Sequence, residues 1–130
     1  MTQLSIIDPS LYSDRVFHPA EDDPLEIIYE VTHHIPGMPW GVAFADIIES
    51  ARHMHVHTHE TYIHVEGPPL RVELGDDRHI HMLYPGETLE IPLNTAHKAF
   101  SDGDGPARIV VTTVPAFSEA DYILLETPPE

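Results

Sequence analysis

Five histidines and Glu60 crowd the stretch RHMHVHTHETYIHVEG, from Arg52 to Gly67. Neutral imidazoles and a carboxylate are nitrogen and oxygen donors for a divalent metal. On a β-strand the pattern H-x-H sends alternate side chains to one face, so a pair of imidazoles can converge on one ion. Three such pairs are available, His53/His55, His55/His57 and His57/His59. A third donor must return on the next strand, and Glu60 follows His55 after four residues, enough for a tight reversal. The later pairs leave too little chain to turn, so the first register is favoured, and His57 and His59 are expected in the turn as exposed, titratable groups. With Glu60 inward, alternation places Tyr62 about 7 Å and His64 about 13 Å along the same face. Tyr62 is thus a candidate catalytic neighbour of the ion. His64 is a candidate for substrate contact or for an interior polar role.

These donors need rigid strands to hold them. Thirteen prolines and seven glycines punctuate runs rich in Val, Ile, Thr and Tyr, which is a β pattern. PLEIIYEVT alternates Leu25, Ile27, Tyr29 and Val31; GVAFADII and RIVVTTV read as further strands; Gly75-Asp76-Asp77 joins two alternating runs as a hairpin turn. His79 and His81 are expected at ordinary polar strand positions. The best helix signal, SEADY, with Ser118 and Asp121 spaced as a cap pair, predicts one turn or none. Many short strands imply a sandwich or barrel.

Downstream, PGETLEIPLNTAHKAFS places Pro92 after Gly86 and five further residues, and His97 five positions beyond Pro92. Together with His53, His55, Glu60 and Gly67, this resembles the paired motifs of the cupin superfamily. The first motif, H-x-H, four residues, E, six residues, G, matches in every spacing. The second falls on Gly86, Pro92, Asn94, His97 and Ser101. Three positions depart from the pattern: Ile47 stands where a glycine opens the first motif, Asn94 where the second glycine of the proline turn falls, and Ser101 where an asparagine closes the second. Asn tolerates left-handed backbone better than most residues.

The resemblance implies an all-β, cupin-type jelly-roll β-barrel with little helix, holding one divalent transition metal through His53, His55, Glu60 and His97. Residues 1–130 are expected to form one domain, with an N-terminal arm over about 1–24, the barrel over about 25–116 and a C-terminal arm over about 117–130. Fe, Mn, Ni, Co, Cu and Zn all suit this donor set, which leaves two open positions on an octahedral ion. Three functions fit: dioxygenase-type oxidation of a small oxygen-bearing molecule, toward which the complete ligand set tips the balance slightly; a Lewis-acid isomerase, cyclase or lyase using Tyr62 or His64 to move a proton; and a small-ligand-binding module such as a sugar binder.

Composition narrows the partners. Twenty-two acidic and six basic residues give a formal charge of −16, which repels nucleic-acid backbones and anionic membranes. The absence of cysteine excludes thiolate ligands, disulfides and a cysteine nucleophile. No basic leader followed by an apolar run opens the chain, so a soluble, cytoplasmic protein with a small-molecule substrate is expected. The outward apolar residues Ile63 and Val65 on the Glu60 strand further predict a homodimer.

Overall fold

The computed structural model describes residues 15–17, 25–30, 39–115, 121 and 123–125. Eleven strands run in chain order: β1 (Arg15–Phe17), β2 (Glu26–Glu30), β3 (Gly41–Ile47), β4 (His53–Met54), β5 (His59–Glu66), β6 (Leu70–Leu74), β7 (His79–Leu83), β8 (Thr88–Ile91), β9 (His97–Ser101), β10 (Ala107–Val114) and β11 (Ile123–Leu124). They form two antiparallel sheets, one ordered β1-β2-β3-β10-β5-β8 and the other β11-β4-β9-β6-β7. There is no α-helix among the described residues, and no helix long and apolar enough to cross a membrane.

Strand periodicity builds the interior. On β3 every second residue is buried, giving Gly41, Ala43, Ala45 and Ile47 inward; on β10 the inward set is Ala107, Ile109, Val111 and Thr113. The large buried side chains Ile47, Leu70, Leu83, Ile91 and Ile109 fill one part of the barrel, each contributing roughly 1.5–3 kcal/mol of apolar burial. Gly41, Ala43 and Ala45 carry too little bulk to fill the rest. A cavity therefore remains against β3, lined by these three residues and by side chains from β2, β5 and β10.

Turn chemistry fixes the strand ends. Gly75, at φ 79°, and Arg78, at φ 55°, complete the β6–β7 hairpin turn, closed by Arg78 N–H donating to the Gly75 carbonyl at 3.1 Å. The turn thus runs one residue beyond Gly75-Asp76-Asp77. Asn94 adopts φ 55°, the left-handed conformation for which Asn substitutes for glycine at low cost.

On β2 the inward phase is the reverse of the Leu25, Ile27, Tyr29 alternation. Glu26 is buried and Ile28 packs against the core, because adjacent isoleucines at 27 and 28 make either phase possible and the register Glu26↔Ile47, Ile28↔Ala45 selects the even one. Val31 lies outside the described residues, as does Ser118. Arg15–Phe17 and Ile123–Leu124, both in segments expected to be arms, pair with β2 and β4 respectively.

Candidate metal centre

Both sheets contribute to one cluster. His53 sits directly opposite His97 across the β4–β9 pair, and His55 follows on the same face, whereas Glu60 comes from β5 in the other sheet, between Ile91 of β8 and Thr113 of β10. The four donor atoms lie within 4.8 Å of one another. All four residues are buried, with at most 6% of their surface exposed. Nε2 of His55 and of His97 stand 3.3 and 3.2 Å from Oε1 of Glu60.

The opposite edge of each imidazole explains how the rings are held. Nδ1 of His53 donates to the Ala51 carbonyl at 2.8 Å, Nδ1 of His55 to the Asp121 carbonyl at 3.0 Å, and Nδ1 of His97 to the Thr95 carbonyl at 3.0 Å. A carbonyl only accepts, so in the neutral form each ring keeps its hydrogen on Nδ1 and its lone pair on Nε2, facing the cluster. Glu60 Oε1 and His97 Nε2 are shut off from water, and despite their approach neither makes a well-formed hydrogen bond. Buried polar atoms without partners are costly, and lone pairs aimed at a common point are what a cation satisfies. The residues therefore fit a divalent metal.

Electrostatics prepare the donors unequally. Burial, reinforced by the charge of His97, pushes the His53 imidazole well below its usual range. Burial also opposes charge on His55, but the Glu60 carboxylate outweighs it and raises that imidazole. For Glu60 burial opposes ionisation, and the close approach of the His55 and His97 imidazoles overcomes it, holding the carboxyl far below the usual carboxylate range.

The remaining candidates separate clearly. Tyr62 is buried, lines the cavity beside His53, His55 and Glu60, and holds its ring 6.1 Å from that of His97. His64 is also buried, but its Nε2 donates to the Pro68 carbonyl at 2.6 Å and it is not among the cavity-lining residues. His57 is exposed in the turn as expected, whereas His59 opens β5 instead of lying in the turn, half-buried and facing Glu90 at 3.4 Å, because pairing with β10 begins at residue 59. His79 is exposed and His81 half-buried on β7, away from the cluster.

Two polar cavity residues escaped the sequence reading. Glu26 and Thr113 are each 4% exposed and line the same cavity as the cluster. Thr113 was legible as the inward partner of Glu60 once β5 and β10 are paired; Glu26 was hidden by the ambiguous phase of β2.

Comparison with solved structures places this architecture. Streptomyces Pac13, described as a nucleoside dehydratase, superposes with a TM-score of 0.70 at 17% identity over 88% of this chain and 87% of that one. A Pac13 variant with uridine reaches 0.72 at 17% identity over 92% and 89%. A cupin-superfamily sugar phosphate isomerase from Silicibacter pomeroyi gives 0.58 at 21% identity over 68% and 59%. The fold is that of a cupin. No protein-family model and no curated protein matches the sequence, so the cupin likeness rests on the two motifs and the barrel itself. Of the departures from the cupin pattern, Ile47 is core and Ser101 ends β9, its hydroxyl donating to the Gly105 carbonyl at 2.7 Å. Neither lies among the four clustered residues.

Proposed function

We propose that this cupin is a metal-dependent enzyme that moves protons on a small, uncharged or cationic, oxygen-bearing molecule, in a dehydratase, lyase or isomerase reaction. The observation that carries this reading is the cavity wall, where a phenol, Tyr62, and a second carboxylate, Glu26, accompany His53, His55 and Glu60. A divalent ion held by His53, His55, Glu60 and His97 supplies Lewis acidity toward a substrate oxygen. Tyr62 stands nearest the cluster on the Glu60 strand and is assigned as the proton-moving group. His64, tied to Pro68, is assigned to the β5–β6 connection instead. Thr113, whose Oγ1 has no hydrogen-bond partner among the described residues, orients a substrate oxygen or hydroxyl.

The charge of the cavity supports an uncharged or cationic substrate. Two carboxylates line it and, among the described residues, no Lys or Arg does, so a phosphate or dicarboxylate finds no counter-charge beyond the metal itself. The likeness to a nucleoside dehydratase over most of both chains supports a non-oxidative reaction on a hydroxylated molecule.

Dioxygenase-type oxidation is the competing reading, supported by the open donor set and by likeness to an oxalate oxidase solved with glycolate (TM-score 0.64, 17% identity, over 80% of this chain and 57% of that one). It is given second place because Tyr62 and Glu26 on the cavity wall supply the proton-moving groups that a non-oxidative reaction requires. The test is a screen of uncharged polyols and nucleosides against metal-loaded protein in anaerobic and aerated buffer, repeated with Tyr62→Phe. Turnover is expected without oxygen, and Tyr62→Phe should keep its metal while turnover falls about 10²- to 10⁴-fold. Turnover only in air would establish oxidation instead, and no turnover in either buffer would leave a binding module.

A further inference from the structure

We propose that Asp121 is a positioning residue for the metal centre, orienting His55 and fixing the turn that brings Glu60 back to it. The inference rests on reading His53, His55, Glu60 and His97 as metal ligands. Asp121 lies more than sixty positions from both residues it would position, and is 8% exposed. Its carbonyl accepts from Nδ1 of His55 at 3.0 Å. Its carboxylate takes three donors of the connection between His55 and Glu60: Oδ1 accepts from Val56 N–H at 3.0 Å and His57 N–H at 3.2 Å, while Oδ2 accepts from His57 N–H at 3.0 Å and the Thr58 hydroxyl at 2.6 Å.

This concentration of bonds has a structural reason. The ligands come from different sheets, His55 beyond the end of β4 and Glu60 at the start of β5, so the four residues between them must reverse direction within a few ångströms of the centre. Val56–Thr58 forms no ladder of its own, and Thr58 is 2% exposed. Buried amides and hydroxyls without partners cost about 1–3 kcal/mol each, and a single carboxylate satisfies three of them at once. The same segment continues as β11, pairing Ile123 with Met54 and Leu124 with His53, and Leu125 N–H donates to the Arg52 carbonyl at 2.8 Å. Asp121, Ile123, Leu124 and Leu125 thus brace residues 52–58 from one side. With His55 gripped through Nδ1 and the turn gripped through its amides, the distance between His55 Nε2 and Glu60 is set before any ion arrives, and preset geometry is what gives a metal site its affinity.

The experiment compares full-length wild type, Asp121→Ala, Asp121→Asn and Thr58→Val, with Leu83→Val, a buried core change outside the cavity, as the control for general destabilisation. Each protein is stripped of metal and titrated with Co(II), whose visible spectrum reports ligand geometry, and the His55 imidazole is followed by nitrogen NMR in the metal-free state. Asp121→Ala is expected to weaken Co(II) binding about 10- to 100-fold, alter its spectrum, and shift the His55 ring resonances. Asp121→Asn and Thr58→Val are expected to do so to a smaller degree, and Leu83→Val to lower the melting temperature with Co(II) affinity unchanged. Wild-type affinity and spectrum in Asp121→Ala would overturn the proposal while leaving the ligand assignment intact. Should Asp121→Ala fail to fold, unchanged binding in both Asp121→Asn and Thr58→Val would overturn it equally. If wild type binds no Co(II), the ligand reading fails, and unaltered His55 resonances in the Asp121 variants would then refute the positioning role separately.

Discussion

Three imidazoles face one carboxylate, and the protons on these four groups decide how readily an ion enters. Glu60 is ionised at every working pH because its carboxyl is held far below the usual range. In the metal-free protein its charge stabilises the fold above about pH 4.3, the ordinary glutamate value, and that contribution is lost as the pH falls toward its depressed one. His53 is driven the other way, toward neutrality, by burial, and needs no proton removed before ligation. Burial opposes charge on His55, but Glu60 raises it nonetheless, so its proton competes with metal. Apparent Co(II) affinity, measured calorimetrically, is therefore expected to rise with pH through and beyond about 6.5, the ordinary histidine value, and then to level off. An affinity constant between about pH 6 and 8 would contradict this assignment. Three of the four donors were legible from spacing alone because H-x-H and the returning glutamate share one local reversal. His97 was not, since its register opposite His53 depends on strands far apart in sequence, and only the second motif pointed to it.

Strands here are short, and their connections do much of the positioning. β4 is two residues long, and it stays in place because β9 lies on one side and β11 on the other. Between β5 and β6, Gly67 takes φ 93°, and a Cβ there would stand 2.6 Å from the Pro106 carbonyl oxygen. Gly67→Ala is expected to cost more than 1–2 kcal/mol, roughly the left-handed penalty alone, because backbone must also move. Gly86 has a similar φ of 90° with open space around it, so Gly86→Ala should cost only about that penalty. Denaturant midpoints of the two variants check the ordering, and an equal loss would show that the Pro106 contact is unimportant. Alternation made β3, β5 and β10 readable, since β3 and β10 keep a period of two throughout and β5 keeps it from His59 to Val65. It misled on β2, where Ile27 and Ile28 side by side left the inward phase to be chosen by pairing with β3, and with it the inward position of Glu26. Asp121 was read as a possible helix cap because Ser118 and Asp121 have cap spacing, yet its carboxylate is spent on the β4–β5 connection, a partner no local pattern encodes.

As a whole the molecule combines a formal charge of −16 with a cavity that is itself acidic, which keeps polyanions from both surface and site. On the outward face of β5, Ile63 and Val65 are half-buried, and we expect this face to be covered by a second copy. Sedimentation at micromolar concentration should give a homodimer, and a monomer would refute it. Its fold class was plain from the β-branched runs, the turn residues and the two motifs, because all are local features. The reaction was not, because it depends on which groups from distant strands share the cavity. Everything in the functional account begins from an ion at His53, His55, Glu60 and His97. The most direct measurement is therefore elemental analysis of protein purified without a metal-affinity column, for wild type, His97→Ala and His57→Ala. Wild type and His57→Ala are expected to carry one divalent transition ion per chain, and His97→Ala to lose most of it. Metal-free wild type that also fails to take up added ions, or a loss in His57→Ala equal to that in His97→Ala, would contradict the account.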